Sequence, residues 1–103
     1  MIASIEKHMD EIVALCKEYG VLRLEIFGSA VTGEFDPEKS DFDFLVEYPE
    51  DYDFGPWGER RYELRDRLAE VLGRDVDLVI FRNIENPYVV HSVEQSRRLL
   101  YAA

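Results

Sequence analysis

Residues 26–48 read IFGSAVTGEFDPEKSDFDFLVEY, and the reading of this stretch decides the fold. The apolar end of a strand runs into Gly28-Ser29. A short helix over residues 30–33 follows, ended by Gly33, and a polar loop holding Pro37 leads to Asp41-Phe42-Asp43. Over residues 42–48, Phe42, Phe44 and Val46 alternate with Asp43, Leu45 and Glu47, the period of a strand with one buried face. Asp41 and Asp43, at i and i+2, share the other face with side-chain roots about 6–7 Å apart. Gly28 lets phosphate oxygens approach the backbone, Ser29 is a natural N-cap, and the N–H groups after it point at an anion.

Working outward, residues 21–27 (VLRLEIF) form the strand that delivers Gly28. Leu22, Leu24 and Ile26 face one way; Arg23, Glu25 and Phe27 face the other. Before it, residues 2–19 read as an amphipathic helix with Ile2, Ile5, Met9, Ile12, Val13 and Cys16 at helical spacing and Gly20 as its stop. His8 beside that stripe reads as a partly buried or surface residue, because no second ligand stands at metal spacing. Residues 49–58 form a loop whose Tyr52, Phe54 and Trp57 are expected to pack on the domain rather than present a docking surface.

Residues 59–72 predict a helix with Leu64, Leu68, Val71 and Leu72 buried and Gly73 as its stop. Arg60, Arg61, Arg65 and Arg67, interleaved with Glu59, Glu63, Asp66 and Glu70, read as a solvated face with i,i+4 pairs. Residues 75–81 predict a third strand, with Asp77, Val79 and Phe81 opposite Val76, Leu78 and Ile80. A turn at 83–87 and a closing helix over 88–101 complete an α-β-α-β-α-β-α order. The expected class is α/β (α+β): a small mixed sheet in one domain spanning residues 1–103, with helices mainly on one face and the acids on the open other face. No internal repeat or linker breaks the chain.

The 103 residues carry a formal charge of −10 and are 47% hydrophobic. That balance repels DNA or RNA, which bind through positive surfaces. It favours a small substrate, a basic protein partner, or both. No run has the length of a membrane span or the pattern of a secretion signal, so no membrane contact and a cytoplasmic location are expected. A single cysteine, Cys16, excludes an internal disulfide and reads as a buried structural thiol.

Asp77 sits inside the apolar run VDLVI, where a charge buried without a partner is costly. Taken alone it could simply alternate out to water. Together with Gly28-Ser29 and Asp41-x-Asp43 it suggests a site for divalent metal that handles a nucleoside triphosphate. All-oxygen ligands point to Mg2+, one or two ions, and no His/Cys set argues for zinc. A Walker loop is absent, an EF-hand loop starting at Asp41 fails at Leu45 and Val46, and an aspartyl-phosphate phosphatase would place Asp-x-Asp at a strand's end.

The pattern Gly28-Ser29, eleven further residues, Asp41-Phe42-Asp43 and later Val76-Asp77-Leu78 resembles the minimal nucleotidyltransferase (MNT) domain of the DNA polymerase β superfamily. The likeness runs from the leading helix to Asn86-Pro87-Tyr88 and the closing helix. The short length is similar to MntA-type antitoxins paired with HEPN ribonuclease toxins. The resemblance implies a nucleotidyltransferase fold and transfer of AMP from ATP to a tyrosine of the HEPN partner, silencing it. It also implies Asp41, Asp43 and Asp77 as catalytic metal triad and Gly28 and Ser29 as the grip on the triphosphate. Thr32 stands where family members often carry an arginine, and the spacer is about one residue longer than is common. The competing expectation is an antitoxin that neutralises its partner by binding alone.

Overall fold

The computed structural model describes residues 3–28, 31, 41–80 and 87–103. Two helices, α1 (Ala3–Lys7) and α2 (Met9–Tyr19), precede strand β1 (Arg23–Phe27). Strand β2 (Phe42–Glu47), helix α3 (Glu59–Leu72), strand β3 (Val76–Ile80), helix α4 (Pro87–Ser96) and strand β4 (Arg98–Ala102) follow. The sheet order is β3-β2-β1-β4. β1 pairs antiparallel with β2 and with β4, and β2 pairs parallel with β3. A parallel pair needs a crossover, and α3 supplies it.

Alternation sets the sheet's faces. Leu24, Ile26, Phe42, Phe44 and Val46 are all buried and form one cluster with Ile5, Ile12, Leu15 and Cys16 of the first helices and Leu64 and Leu68 of α3. Each fully buried side chain of this kind contributes about 1.5–3 kcal/mol. Truncating Phe44 at the centre therefore costs about 3–5 kcal/mol. Leu15 and Tyr19 join the buried stripe of α2, and His8 interrupts the expected single helix. His8 is partly buried and meets Glu11 at 3.4 Å. α3 has the expected bounds; Gly73 ends it in the left-handed region, φ 69°, with its N–H on the Ala69 carbonyl at 2.8 Å.

The expected helix over 88–101 is corrected. It stops at Ser96, and Arg98–Ala102 is a strand on the outer edge of β1. Leu100 and Tyr101 suit either period, and the unpaired edge of β1 decides for the strand. The second face of the sheet is not wholly open either. Val93 of α4 packs there against Phe27 and Leu45, with Val79 beside them. Leu22, expected in the core, lies before β1 and is exposed.

The loop aromatics divide. Tyr52 and Phe54 pack on Tyr48 with ring centroids 4.5–4.8 Å apart, while Trp57 is 88% exposed. The arginines of α3 do not form the expected i,i+4 pairs. Arg67 reaches Glu18 of α2, Arg60 donates to the Tyr52 hydroxyl at 2.8 Å, and Arg65 meets its neighbour Asp66. Ile2, Thr32, Phe81, residues 83–86 of the expected 83–87 turn and most of the expected 30–33 helix lie outside the described residues, and Pro87, expected in that turn, opens α4.

Candidate active site

The second sheet face carries the chemistry. In the parallel register Asp43 stands opposite Asp77, and in the antiparallel register opposite Phe27, the residue before Gly28. Neighbouring strands are about 4.8 Å apart, so the roots of Asp43 and Asp77 are adjacent. Asp41 immediately precedes β2. Asp41 and Asp77 are exposed and Asp43 is half-buried. Burial, then the charges of Asp77 and Asp41, push the Asp43 carboxyl from 3.8 up to about 6. Asp43 thus feels both other carboxylates, as a group among like charges must.

Gly28 closes this corner. Its φ is 79°, in the left-handed region that side chains disfavour. A Cβ there would lie 2.6 Å from Asp43 Oδ2. The turn is held by the Val31 N–H on the Gly28 carbonyl at 3.0 Å. The Gly28 N–H donates to Ser96 Oγ at 2.8 Å, so it is already engaged inside the protein. Ser29 lies outside the described residues.

Two features escaped the sequence. Ser96 is only 3% exposed and anchors the Gly28 turn from 68 residues away. Glu25, also 3% exposed, accepts a forked contact from Arg97, at 3.2 Å from Nε and 2.5 Å from Nη2, and meets Arg23 at 3.4 Å. A buried carboxylate demands such a partner. Arg97 follows Ser96 directly, so one α4–β4 junction ties down both Glu25 and Gly28. Only the burial of Glu25 inside a strand could have hinted at a distant cation.

The donor set suits a hard cation. It is all oxygen, Asp43 is repelled by both other acids, and Gly28 lets the Asp43 carboxylate sit where any side chain would collide with it. Among the described residues no group of three His, Cys, Asp or Glu side chains is gathered closely enough to hold a metal ion, so Asp41, Asp43 and Asp77 share a face without forming a ready-made triad. Mg2+ sites commonly take one or two protein carboxylates and complete their shell with phosphate and water.

Comparison with known proteins identifies the family. A model described as "Nucleotidyltransferase domain" matches residues 9–100. The chain belongs to the nucleotidyltransferase family. Two Methanocaldococcus jannaschii proteins, both named "Putative protein adenylyltransferase", are 43% identical over 79% of this chain and 78% of theirs, and 38% identical over 76% and 75%. Among solved structures, "Structure of putative minimal nucleotidyltransferase" matches with TM-score 0.72 and 27% identity, covering 92% of this chain and 91% of that one. A toxin–antitoxin structure with AMP-PNP matches with TM-score 0.71 and 26% identity over 92% and 73%. The mixed four-stranded sheet is thus a nucleotidyltransferase fold, and the chain is an MNT-antitoxin-like nucleotidyltransferase. No helix among the described residues is long and apolar enough to cross a membrane.

Proposed function

We propose that this chain, as one domain over residues 1–103, is a Mg2+-dependent protein adenylyltransferase of the antitoxin type. It transfers AMP from ATP to a hydroxyl, a tyrosine in our reading, on a partner HEPN ribonuclease toxin in the cytoplasm. The observation that carries the reading is the register of Asp43 with Asp77 on adjoining strands, beside a glycine whose side chain would fill the corner. The names of the relatives and the AMP-PNP in a similar toxin–antitoxin structure support it.

Asp41, Asp43 and Asp77 would hold the metal. The chemistry that bound Mg2+ supplies is neutralisation of charge around the α-phosphate. Gly28 makes room for the Asp43 carboxylate; its own N–H serves Ser96, so the phosphate donors in our reading are the N–H groups that follow, with the Ser29 hydroxyl. Asp77, exposed at the sheet's edge side, accepts the proton of the incoming hydroxyl. The oxygen of that hydroxyl bonds to the α-phosphorus as the bond to the β-phosphate oxygen breaks and pyrophosphate leaves. The toxin supplies the rest of the acceptor site.

A second reading is neutralisation by binding alone, favoured by the charge of −10 and by Trp57, 88% exposed on the 49–58 loop. The test is label transfer from α-labelled ATP with Mg2+ to the protein encoded by the adjacent gene, for wild type and Asp41→Asn/Asp43→Asn. Label on the neighbour that vanishes in the variant supports adenylyl transfer. Stable association of both forms without label selects the masking antitoxin.

A further inference from the structure

Beyond the triad, β3 borders a groove of about 210 Å3 lined by Arg61, Tyr62, Arg65, Asp77 and Leu78. β3 is the sheet's outer strand, so no further strand covers this side among the described residues. The Arg61 and Arg65 guanidinium groups lie 4.8 and 5.1 Å from the centre of the Tyr62 ring. They differ from the other arginines at this end of α3. Arg60 and Arg67 are engaged with Tyr52 and Glu18 of other elements. Among the described residues, Arg61 hydrogen-bonds the Tyr62 hydroxyl at 2.8 Å and Arg65 pairs with the adjacent, exposed Asp66. Two cations and a half-exposed aromatic ring are therefore presented beside an acid of the proposed reaction centre.

We propose that this groove docks an acidic segment of the acceptor protein, with carboxylates flanking the acceptor hydroxyl. The proposal rests on the adenylyl-transfer reading, because it places that hydroxyl next to Asp77. Charge decides the occupant. The field of a chain carrying −10 opposes every anion and most of all a long polyanion such as RNA, so the occupant is a short acidic stretch on a protein that is otherwise neutral or basic. A short peptide with a few carboxylates, by contrast, can satisfy Arg61 and Arg65 locally, in the geometry arginine favours for carboxylate.

The test separates docking from catalysis by reading binding without nucleotide. Fluorescein-labelled peptides with one tyrosine flanked by glutamates, or by lysines, are titrated at low salt with wild type, Arg61→Ala/Arg65→Ala and Arg61→Glu/Arg65→Glu, fluorescence polarisation being read. The glutamate peptide should bind wild type, weaken about tenfold with the alanine variant, as two exposed charge pairs allow, and weaken with salt. The glutamate variant should reverse the preference toward the lysine peptide, which an unfolded protein could not do. Absence of glutamate-peptide binding, or equal binding by all three proteins, overturns the docking site. Displacement by a polyuridine oligomer at equal potency overturns it in favour of a nucleic-acid groove. Arginine-dependent binding with no label transfer to any acceptor would leave the docking site standing and count against adenylyl transfer. Transfer that is indifferent to Arg61 and Arg65 would do the opposite.

Discussion

Replacing Asp43 with asparagine should stabilise the metal-free protein at neutral pH. The folded protein holds the Asp43 proton more tightly than the unfolded chain, with the carboxyl pushed from 3.8 up to about 6 by burial and by Asp77 and Asp41. Between those values the native state binds more protons, so stability falls as pH rises through the window, and the whole penalty is present above it. Two units at 1.36 kcal/mol each set a ceiling of about 3 kcal/mol. Because Asp43 is only half-buried, solvent screening reduces this to about 1–2 kcal/mol. Asparagine keeps the shape and removes the charge. Urea unfolding in EDTA should therefore show Asp43→Asn more stable than wild type by that amount near pH 7.5, with the gain vanishing near pH 4. Adding Mg2+ should favour the wild type, because a ligand that binds only the folded state stabilises it. A variant no more stable than wild type at neutral pH, or a gain that ignores pH, would refute the argument that like charges are held together at this corner.

Three further outcomes follow from the same geometry. Gly28→Ala must adopt a left-handed conformation and push a Cβ against Asp43 Oδ2, 2.6 Å away; it should lose about 1–2 kcal/mol in urea unfolding and about a hundredfold in label transfer. Ser96→Ala leaves the Gly28 N–H without its buried acceptor and should cost about 1–3 kcal/mol, while Ser96→Thr, which keeps the hydroxyl, should recover most of it by the same measurement. Arg97→Met takes the main cation from the buried Glu25 carboxylate and should cost up to about 3–5 kcal/mol in chemical denaturation, whereas replacing Glu25 and Arg97 together by leucine and methionine should come near neutral.

What could be read from the residues was what local period and turn chemistry control. The Leu64, Leu68 and Leu72 stripe and the closing Gly73 place α3 to the residue. The alternation about Phe42, Phe44 and Val46 gives β2, and Val76-Asp77-Leu78 gives β3. Pairings far apart in sequence stayed hidden. Arg98–Ala102 carries no strand signal of its own and becomes one because β1 has a free edge. Glu25 looks like any outward-facing strand acid until Arg97, 72 residues on, meets it. Ser96 is one serine in a helix until its hydroxyl finds Gly28. Asp41, Asp43 and Asp77 stand out as candidates because of their spacing; their unequal exposure, which singles out Asp43 as the perturbed one, depends on β2 lying between β1 and β3, a pairing the spacing does not show.

The anchoring of Gly28 by the α4–β4 junction bears on the order of assembly. Closing a loop of this length is entropically slow, and contacts so distant in sequence tend to form after the local ones. The turn beside Asp43 is therefore set late in folding, after the α2–sheet–α3 core has condensed. In the native state the same dependence persists in miniature. β4 is an edge strand of five residues with Leu99 exposed, so it can fray while the core stays shut. Each such opening loosens Ser96 and Arg97 and with them the Gly28 turn. The geometry of the proposed nucleotide corner is thus governed by a local opening equilibrium at the sheet's rim rather than by the global stability of the fold.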